Sequence, residues 1–330
     1  MAAAKAKKNE FTILKIKRGT LFCFGFLFFF FPSQNWYLAV QATYQLPKTQ
    51  TIEALPPSPA DYPVNFTNQK PPFLTARAAI VMDRDSAVLI YGRNEEKRLL
   101  PASTVKIMTA LVALHHYNLD DVLMVKKANN QGQDMELLEE EKISVESLLY
   151  GLLVASANDA ALVLAQNYPG GEAGFVKAMN KKAKSLNLDN TYFANPTGLD
   201  SDEEGNLLPT YSYTTALDLA RLASWGLKNE VLAKMVATKR ITVTDVSGEI
   251  KHQLYNINEL LGNLTGVKGI KTGWTEEAGE CLVSYAEREG RGIIIVLLGS
   301  EDRFGETKKL VNWVFDNFRW QPLTPSIEDR

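Results

Sequence analysis

The 330-residue sequence predicts an α+β fold, an antiparallel sheet with helices packed against it. Three observations carry that prediction. Two hairpins can be read from short β-type runs across tight polar turns: Ala78–Asp83 with Ala87–Tyr91, and Arg240–Thr244 with Glu249–Gln253. Three more strands follow in succession, Gly269–Trp274, Glu280–Glu287 and Arg291–Gly299. Between the hairpins lie blocks of helix rather than alternating strand and helix units, which points away from a doubly wound parallel sheet.

The N-terminal stretch is organised differently. Lys5, Lys7, Lys8, Lys15, Lys17 and Arg18 precede Gly19–Pro47, which holds no charged residue. Basic residues on the near side place the N-terminus in the cytoplasm and the remainder outside. Leu21–Phe31 is an apolar core of signal-peptide length, and Val40-Gln41-Ala42 offers small residues for cleavage. Extended to Val40, the same run reaches about 20 residues, enough to span a bilayer. Residues 1–42 therefore read as a signal peptide or as a retained membrane anchor, and both readings export the rest. Residues 43–73 are rich in Pro, Gln, Thr and Asn, and read as an extended linker.

The main domain is expected over residues 74–322, with 323–330 as a tail. After the first hairpin, Pro101 ends an extended approach, and the run Ile107–Leu114 behind it is apolar almost all round, as in a buried helix, which is expected to reach about Tyr117. Val122–Val125 reads as a short strand and Gln131–Glu141 as a polar loop. Helices follow at Val145–Val154, Ala160–Gln166 and Phe175–Leu186. Asn195-Pro196-Thr197-Gly198-Leu199 opens an irregular loop that lasts to Tyr211. Helices at Thr214–Gly226 and Glu230–Thr238 precede the second hairpin, and Thr307–Phe318 closes the chain.

Composition limits the partners. Six of the 36 basic and one of the 38 acidic residues lie in 1–18, so the exported part carries 30 basic and 37 acidic side chains. That balance gives no reason to expect nucleic acid. Of two cysteines only Cys281 lies in the exported part, so no internal disulfide is expected, and Cys281 reads as core. The three histidines are scattered, which argues against a zinc peptidase and predicts no metal site. His115 and His116 suit a helix C-terminus, and His252 lies in a hairpin without nearby ligand types. Glu139-Glu140-Glu141 and Asp202-Glu203-Glu204 read as solvated loop faces.

Three short motifs carry the chemistry: Ser103-x-x-Lys106, Ser156-x-Asn158 and Lys271-Thr272-Gly273. Each alone is weak, and Ser33-Gln34-Asn35 and Ser185-Leu186-Asn187 are decoys for the second. In this order, each beside a buried element, they are strong together. Ser103 and Lys106 share one face of a first helical turn, so the amine lies beside the hydroxyl. A serine attacks a carbonyl only if something takes its proton, and a lysine does so only when neutral. Burial and a cationic neighbour, for which Lys271 is the candidate, would depress the lysine. Asn158 would orient Lys106, and Ser156 would relay a proton to a leaving amine. Lys271 and Thr272 would bind a carboxylate, with Gly273 letting the substrate backbone lie close. The backbone N–H groups of Ser103 and Trp274 are candidates for an oxyanion hole.

This triple is that of penicillin-binding proteins and class A β-lactamases. The sequence resembles the serine D-alanyl-D-alanine carboxypeptidases, the low-molecular-mass penicillin-binding proteins of peptidase family S11. The likeness runs from about Ala76 to Trp313 and includes Leu100–Ala110, Leu148–Ala161, Phe175–Leu199, Tyr211–Leu222 and Gly266–Val283. It implies a β-lactamase/transpeptidase-like fold, with an all-helical subdomain and the active site between subdomain and sheet. It implies, too, removal of the terminal D-alanine from peptidoglycan stem peptides through an acyl-enzyme on Ser103, without a cofactor. Ser103, Lys106 and Ser156 would be catalytic; Asn158, Lys271, Thr272, Gly273 and Trp274 would bind substrate. β-Lactams would be covalent inhibitors, and the place of work the cell envelope, at the outer face of the cytoplasmic membrane or beyond it.

The sequence departs from the family in two respects. Trp274 stands where some members carry histidine, and the sequence ends soon after its last helix, where many members continue to a second domain and a C-terminal anchor. The N-terminal segment is thus the expected tether, if it is not cleaved. The competing readings are a D,D-endopeptidase on peptidoglycan cross-links and a silent wall-binding protein of the same fold. A class A β-lactamase is disfavoured, since no Glu-x-x-Leu-Asn lies between Asn158 and Lys271.

Overall fold

Ile293–Leu298 is an unbroken aliphatic run, and such a run belongs in a strand covered on both faces. In the computed structural model, which describes residues 61–127, 132–199 and 211–322, it forms the middle of strand β10. Taken in chain order, the strands are β1 (Tyr62–Asn65), β2 (Ala78–Asp83), β3 (Leu89–Arg93), β4 (Val122–Met124), β5 (Lys142–Ser144), β6 (Arg240–Thr244), β7 (Lys251–Tyr255), β8 (Val267–Thr275), β9 (Gly279–Arg288), β10 (Arg291–Ser300) and β11 (Phe318–Gln321). Five of them make the main sheet, in the order β3-β2-β10-β9-β8, and every pairing in it is antiparallel. The expected fold class is the one observed.

Alternation along β10 turns Ile294, Val296 and Leu298 to one face and Ile293, Ile295 and Leu297 to the other. The first set joins a core built with helices α1 (Lys106–His116), α2 (Val145–Tyr150), α3 (Asn158–Gln166), α4 (Gly171–Ser185), α5 (Ala216–Gly226) and α6 (Glu230–Val236). The second set packs on Leu310, Val311 and Val314 of helix α7 (Arg303–Asn317). Each such side chain, fully buried, contributes about 1.5–3 kcal/mol. Side-chain caps open α2, α5, α6 and α7 at Ser144, Thr215, Asn229 and Asp302, each accepting the N–H three residues on.

Two local departures from regular helix matter for the site. Residues Ala102–Val105 form a 3₁₀ turn that runs straight into α1, so Ser103 stands before the α-helix and Lys106 opens it. Helix α2 continues as a π-helical turn, Gly151–Ala155, which ends at Ser156 in a left-handed conformation (φ +62°). A regular helix was expected through Val154; the π turn carries the chain out of it and delivers Ser156.

Some expectations need correction. The linker was read as running to residue 73, yet Tyr62–Asn65 pairs with Arg319, Trp320 and their neighbours in β11, and the Trp313 indole donates to the Gln69 carbonyl. Pro63 is tolerated in this edge strand, because its missing N–H faces away from the partner. Glu141 was read with its neighbours as a solvated face, but it is 5% exposed and bonded to His252, which therefore has a carboxylate beside it. Residues 1–60, 323–330 and the Asp202-Glu203-Glu204 run lie outside the described residues. Among the described residues, no helix is long and apolar enough to cross a membrane.

Candidate active site

Ser103 and Lys106 meet as their spacing requires, with Lys106 Nζ 2.9 Å from Ser103 Oγ. The amine has two further partners, Asn158 Oδ1 and the Thr197 carbonyl oxygen, both at 2.7 Å. Those two oxygens only accept. A neutral amine has two N–H groups and one lone pair, so its hydrogens go to Asn158 and Thr197 and its lone pair faces the Ser103 hydroxyl. Lys106 is fully buried. Burial pushes its pKa well below the ordinary lysine value, the nearby Lys271 cation pushes the same way, and Asp159 opposes them.

Helix α3 opens at Asn158, two residues after the left-handed Ser156, so both side chains of the second motif leave one turn of backbone. Ser156 and Asn158 are 0% and 2% exposed. Ser156 Oγ accepts from the third motif: Lys271 Nζ lies 2.8 Å from Ser156 Oγ and 2.8 Å from the Thr272 carbonyl oxygen. Lys271 is buried, and burial, followed by the Arg303 charge, lowers its pKa to about 7. Thr272 Oγ1 is buried and has no hydrogen-bond partner among the described residues.

Strand β8 runs along the Ser103 turn. A Cβ on Gly273 would lie 3.0 Å from Ser103 N and 3.1 Å from the Ala102 Cβ. The absent side chain thus makes room for the serine turn, where the sequence reading reserved that space for substrate. Trp274 follows and is 62% exposed.

Several residues at the site carried no signal in the sequence. Arg303, at the start of α7, donates to the Gly273 carbonyl at 2.8 Å and brings a third cation to the Lys271 side. The loop after Asn195 was read only as irregular. Asn195 Oδ1 accepts from Thr197 N, Thr197 Oγ1 and Gly198 N, and this turn aims the Thr197 carbonyl at Lys106. Gly198 (φ +80°) packs so closely that a Cβ there would lie 2.1 Å from the Ala102 carbonyl oxygen. Asp159, beside Asn158, accepts backbone N–H groups from Met135, Leu137 and Ala160. Among the described residues, no cluster of His, Cys, Asp and Glu is arranged to hold a metal.

An antiparallel sheet with helices on both faces, and a buried lysine facing a serine where sheet edge and helices meet, define a protein of the penicillin-binding fold. The sequence matches the D-alanyl-D-alanine carboxypeptidase family, peptidase S11, over residues 65–302, and the chain belongs to that family. It is 35% identical over 258 residues to the D-alanyl-D-alanine carboxypeptidase DacF of Bacillus subtilis, a match covering 75% of this chain and 64% of that relative, so less than two thirds of the latter's length is spanned. It is 32% identical to a D-alanyl-D-alanine endopeptidase of Pseudomonas aeruginosa, covering 80% of this chain and 83% of that one. Among solved structures, the Streptomyces K15 DD-transpeptidase superposes with a TM-score of 0.68 at 32% identity, covering 75% of this chain and 100% of that one. The D-alanyl-D-alanine carboxypeptidase of Mycobacterium tuberculosis H37Rv gives 0.69 at 30% identity, covering 79% and 97%.

Proposed function

We propose that this chain is a serine D,D-carboxypeptidase that removes the terminal D-alanine from peptidoglycan stem peptides through an acyl-enzyme on Ser103. One observation carries the reading: the Lys106 amine has acceptors for both hydrogens of its neutral form and a hydroxyl for its lone pair. Ser103 Oγ attacks the carbonyl carbon of the penultimate residue, and its proton passes to Lys106 Nζ. The oxyanion forms against the backbone N–H groups of Ser103 and Trp274, each such donor being worth about 3 kcal/mol. The C–N bond then breaks, and the proton that Lys106 took from Ser103 passes through the Ser156 hydroxyl to the leaving amine, which returns Lys106 to its neutral form. That hydroxyl accepts from Lys271 and so keeps its own hydrogen to give. Water then hydrolyses the ester, with Lys106 again the base.

The terminal carboxylate is the partner for Lys271 and for Thr272 Oγ1. Burial and the Arg303 charge lower the Lys271 pKa to about 7, and an arriving carboxylate favours its charged form. The field of Arg303 adds to the attraction. Asn158 holds Lys106 and, with Gly273 and Trp274, lines the substrate's path. The work is done in the cell envelope, at the outer face of the cytoplasmic membrane or beyond it. Residues 1–42 would serve as signal peptide or anchor, and residues 43–60 as tether.

A fluorescent penicillin should label the protein covalently, and Ser103→Ala should abolish labelling; unchanged labelling in that variant refutes the nucleophile. Incubation with a stem pentapeptide and with a cross-linked dimer then separates activities. Free D-alanine from the pentapeptide alone supports the carboxypeptidase, cleavage of the dimer alone the endopeptidase, and neither the silent wall-binding protein.

A further inference from the structure

A second buried polar cluster runs along residues 132–141. His252, on β7, places Nδ1 2.7 Å from the Met135 carbonyl oxygen and Nε2 2.8 Å from Glu141 Oε1. The other oxygen of Glu141 accepts the Leu138 N–H at 2.9 Å. The two side chains are 4% and 0% exposed. At its other end the same segment is tied to the second motif. The Gln133 carbonyl accepts the Asn158 N–H at 2.7 Å, and the Asp159 carboxyl accepts Met135 N and Leu137 N at 3.1 Å. Gly132 (φ +74°) sits so close to Asn158 that a Cβ there would lie 2.8 Å from Nδ2. The segment is therefore a seat for the amide that holds Lys106, and His252 is the bolt that fixes its outer end.

One hydrogen on each ring nitrogen's side closes the bolt. A carbonyl only accepts, so the hydrogen on Nδ1 points to Met135. Nε2 and Glu141 Oε1 then hold one hydrogen between them, as imidazolium and carboxylate or as neutral ring and carboxyl. Either form satisfies every polar group, whereas losing one side chain leaves the other group and a backbone partner buried without theirs.

We propose that His252 is a positioning residue for the reaction: through Glu141 and the Met135 carbonyl it fixes segment 132–141, which seats Asn158 and so keeps the Lys106 amine aimed at Ser103. The inference rests on the functional reading above. Its test uses the full chain as wild type, His252→Ala, Glu141→Ala and Glu141→Gln. Two quantities are measured: the rate of acylation by a fluorescent penicillin per folded molecule, and amide hydrogen exchange at residues 133–138.

In both alanine variants exchange at Met135 and Leu137 should quicken, and acylation should slow about tenfold to a hundredfold, the usual effect of a small misplacement at the reacting groups. Glu141→Gln should stay within about twofold of wild type, because its amide donates to the neutral ring while its oxygen accepts from Leu138 N–H. A merely structural bolt would lower stability without slowing the folded molecules. Wild-type acylation in His252→Ala, or a glutamine variant as slow as the alanine one at position 141, overturns the proposal. If His252→Ala does not fold, the two Glu141 variants decide. If the wild type does not react with penicillin, the functional reading falls, and the exchange arm decides the tie alone: unchanged exchange in both alanine variants refutes it.

Discussion

Replacing Lys271 by methionine should stabilise the folded protein at pH 6 and do so far less at pH 10. Methionine keeps the length and the apolar stem while removing a charge buried beside Lys106 and Arg303. The fall in pKa from the ordinary 10.5 to about 7 corresponds to about 5 kcal/mol, at 1.36 kcal/mol per pH unit. Below pH 7 both folded and unfolded chains carry the proton, and the folded state bears the whole penalty. Between pH 7 and 10.5 the unfolded chain binds the more protons, so wild-type stability climbs with pH and the penalty fades. Against this gain stand the bonds to Ser156 Oγ and the Thr272 carbonyl, whose loss costs about 1–3 kcal/mol at any pH. The variant should therefore exceed wild type by about 2–4 kcal/mol at pH 6, and the advantage should shrink by up to about 4 kcal/mol by pH 10. Urea unfolding of both proteins at the two pH values, with the m-values compared, measures this directly. A stability difference that is the same at both pH values would mean that Lys271 is not held against its charge, and the electrostatic argument would fail.

Two other outcomes follow from the same geometry. Acylation by penicillin should rise with pH along a limb well below 10.5, because Lys106 must lose its proton to act. Lys271→Met removes the cation that helps to depress Lys106, so the limb should move to higher pH; a limb at unchanged pH removes Lys271 from that role. Gly198→Ala drives a methyl against the Ala102 carbonyl, 2.1 Å from where the new Cβ would sit, so the Ser103 turn must shift. Acylation should fall about a hundredfold, and the left-handed backbone should cost a further 1–2 kcal/mol, roughly, in stability. Stopped-flow acylation and a thermal melt check both; wild-type acylation would show that the turn tolerates the displacement.

Much of the sheet could be read along the chain because its strands announce themselves locally. Ile293–Leu298 and the all-buried β2 are runs that only a doubly covered strand explains, and the turns at Arg84-Asp85-Ser86 and Glu289-Gly290 mark where they reverse. Boundaries failed where pairing depends on a distant partner. β1 is short and holds Pro63, and nothing within it tells of β11, more than 250 residues away. His252 and Glu141 failed in the same way, 111 residues apart and each unremarkable in its own surroundings.

At the site the division is equally physical. The serine–lysine pair was determined by the sequence itself, because three residues along a helical turn are neighbours whatever the rest of the chain does. The chemical types in the other two motifs were legible as well. Only the tertiary structure decided what they do to one another, since Lys271 reaches Ser156 across 115 residues and Thr197 reaches Lys106 across 91. It also decided how deeply the two lysines are buried. Proton affinity depends on solvent exclusion and on charges brought near from elsewhere in the chain, and neither is a property of a local stretch of residues.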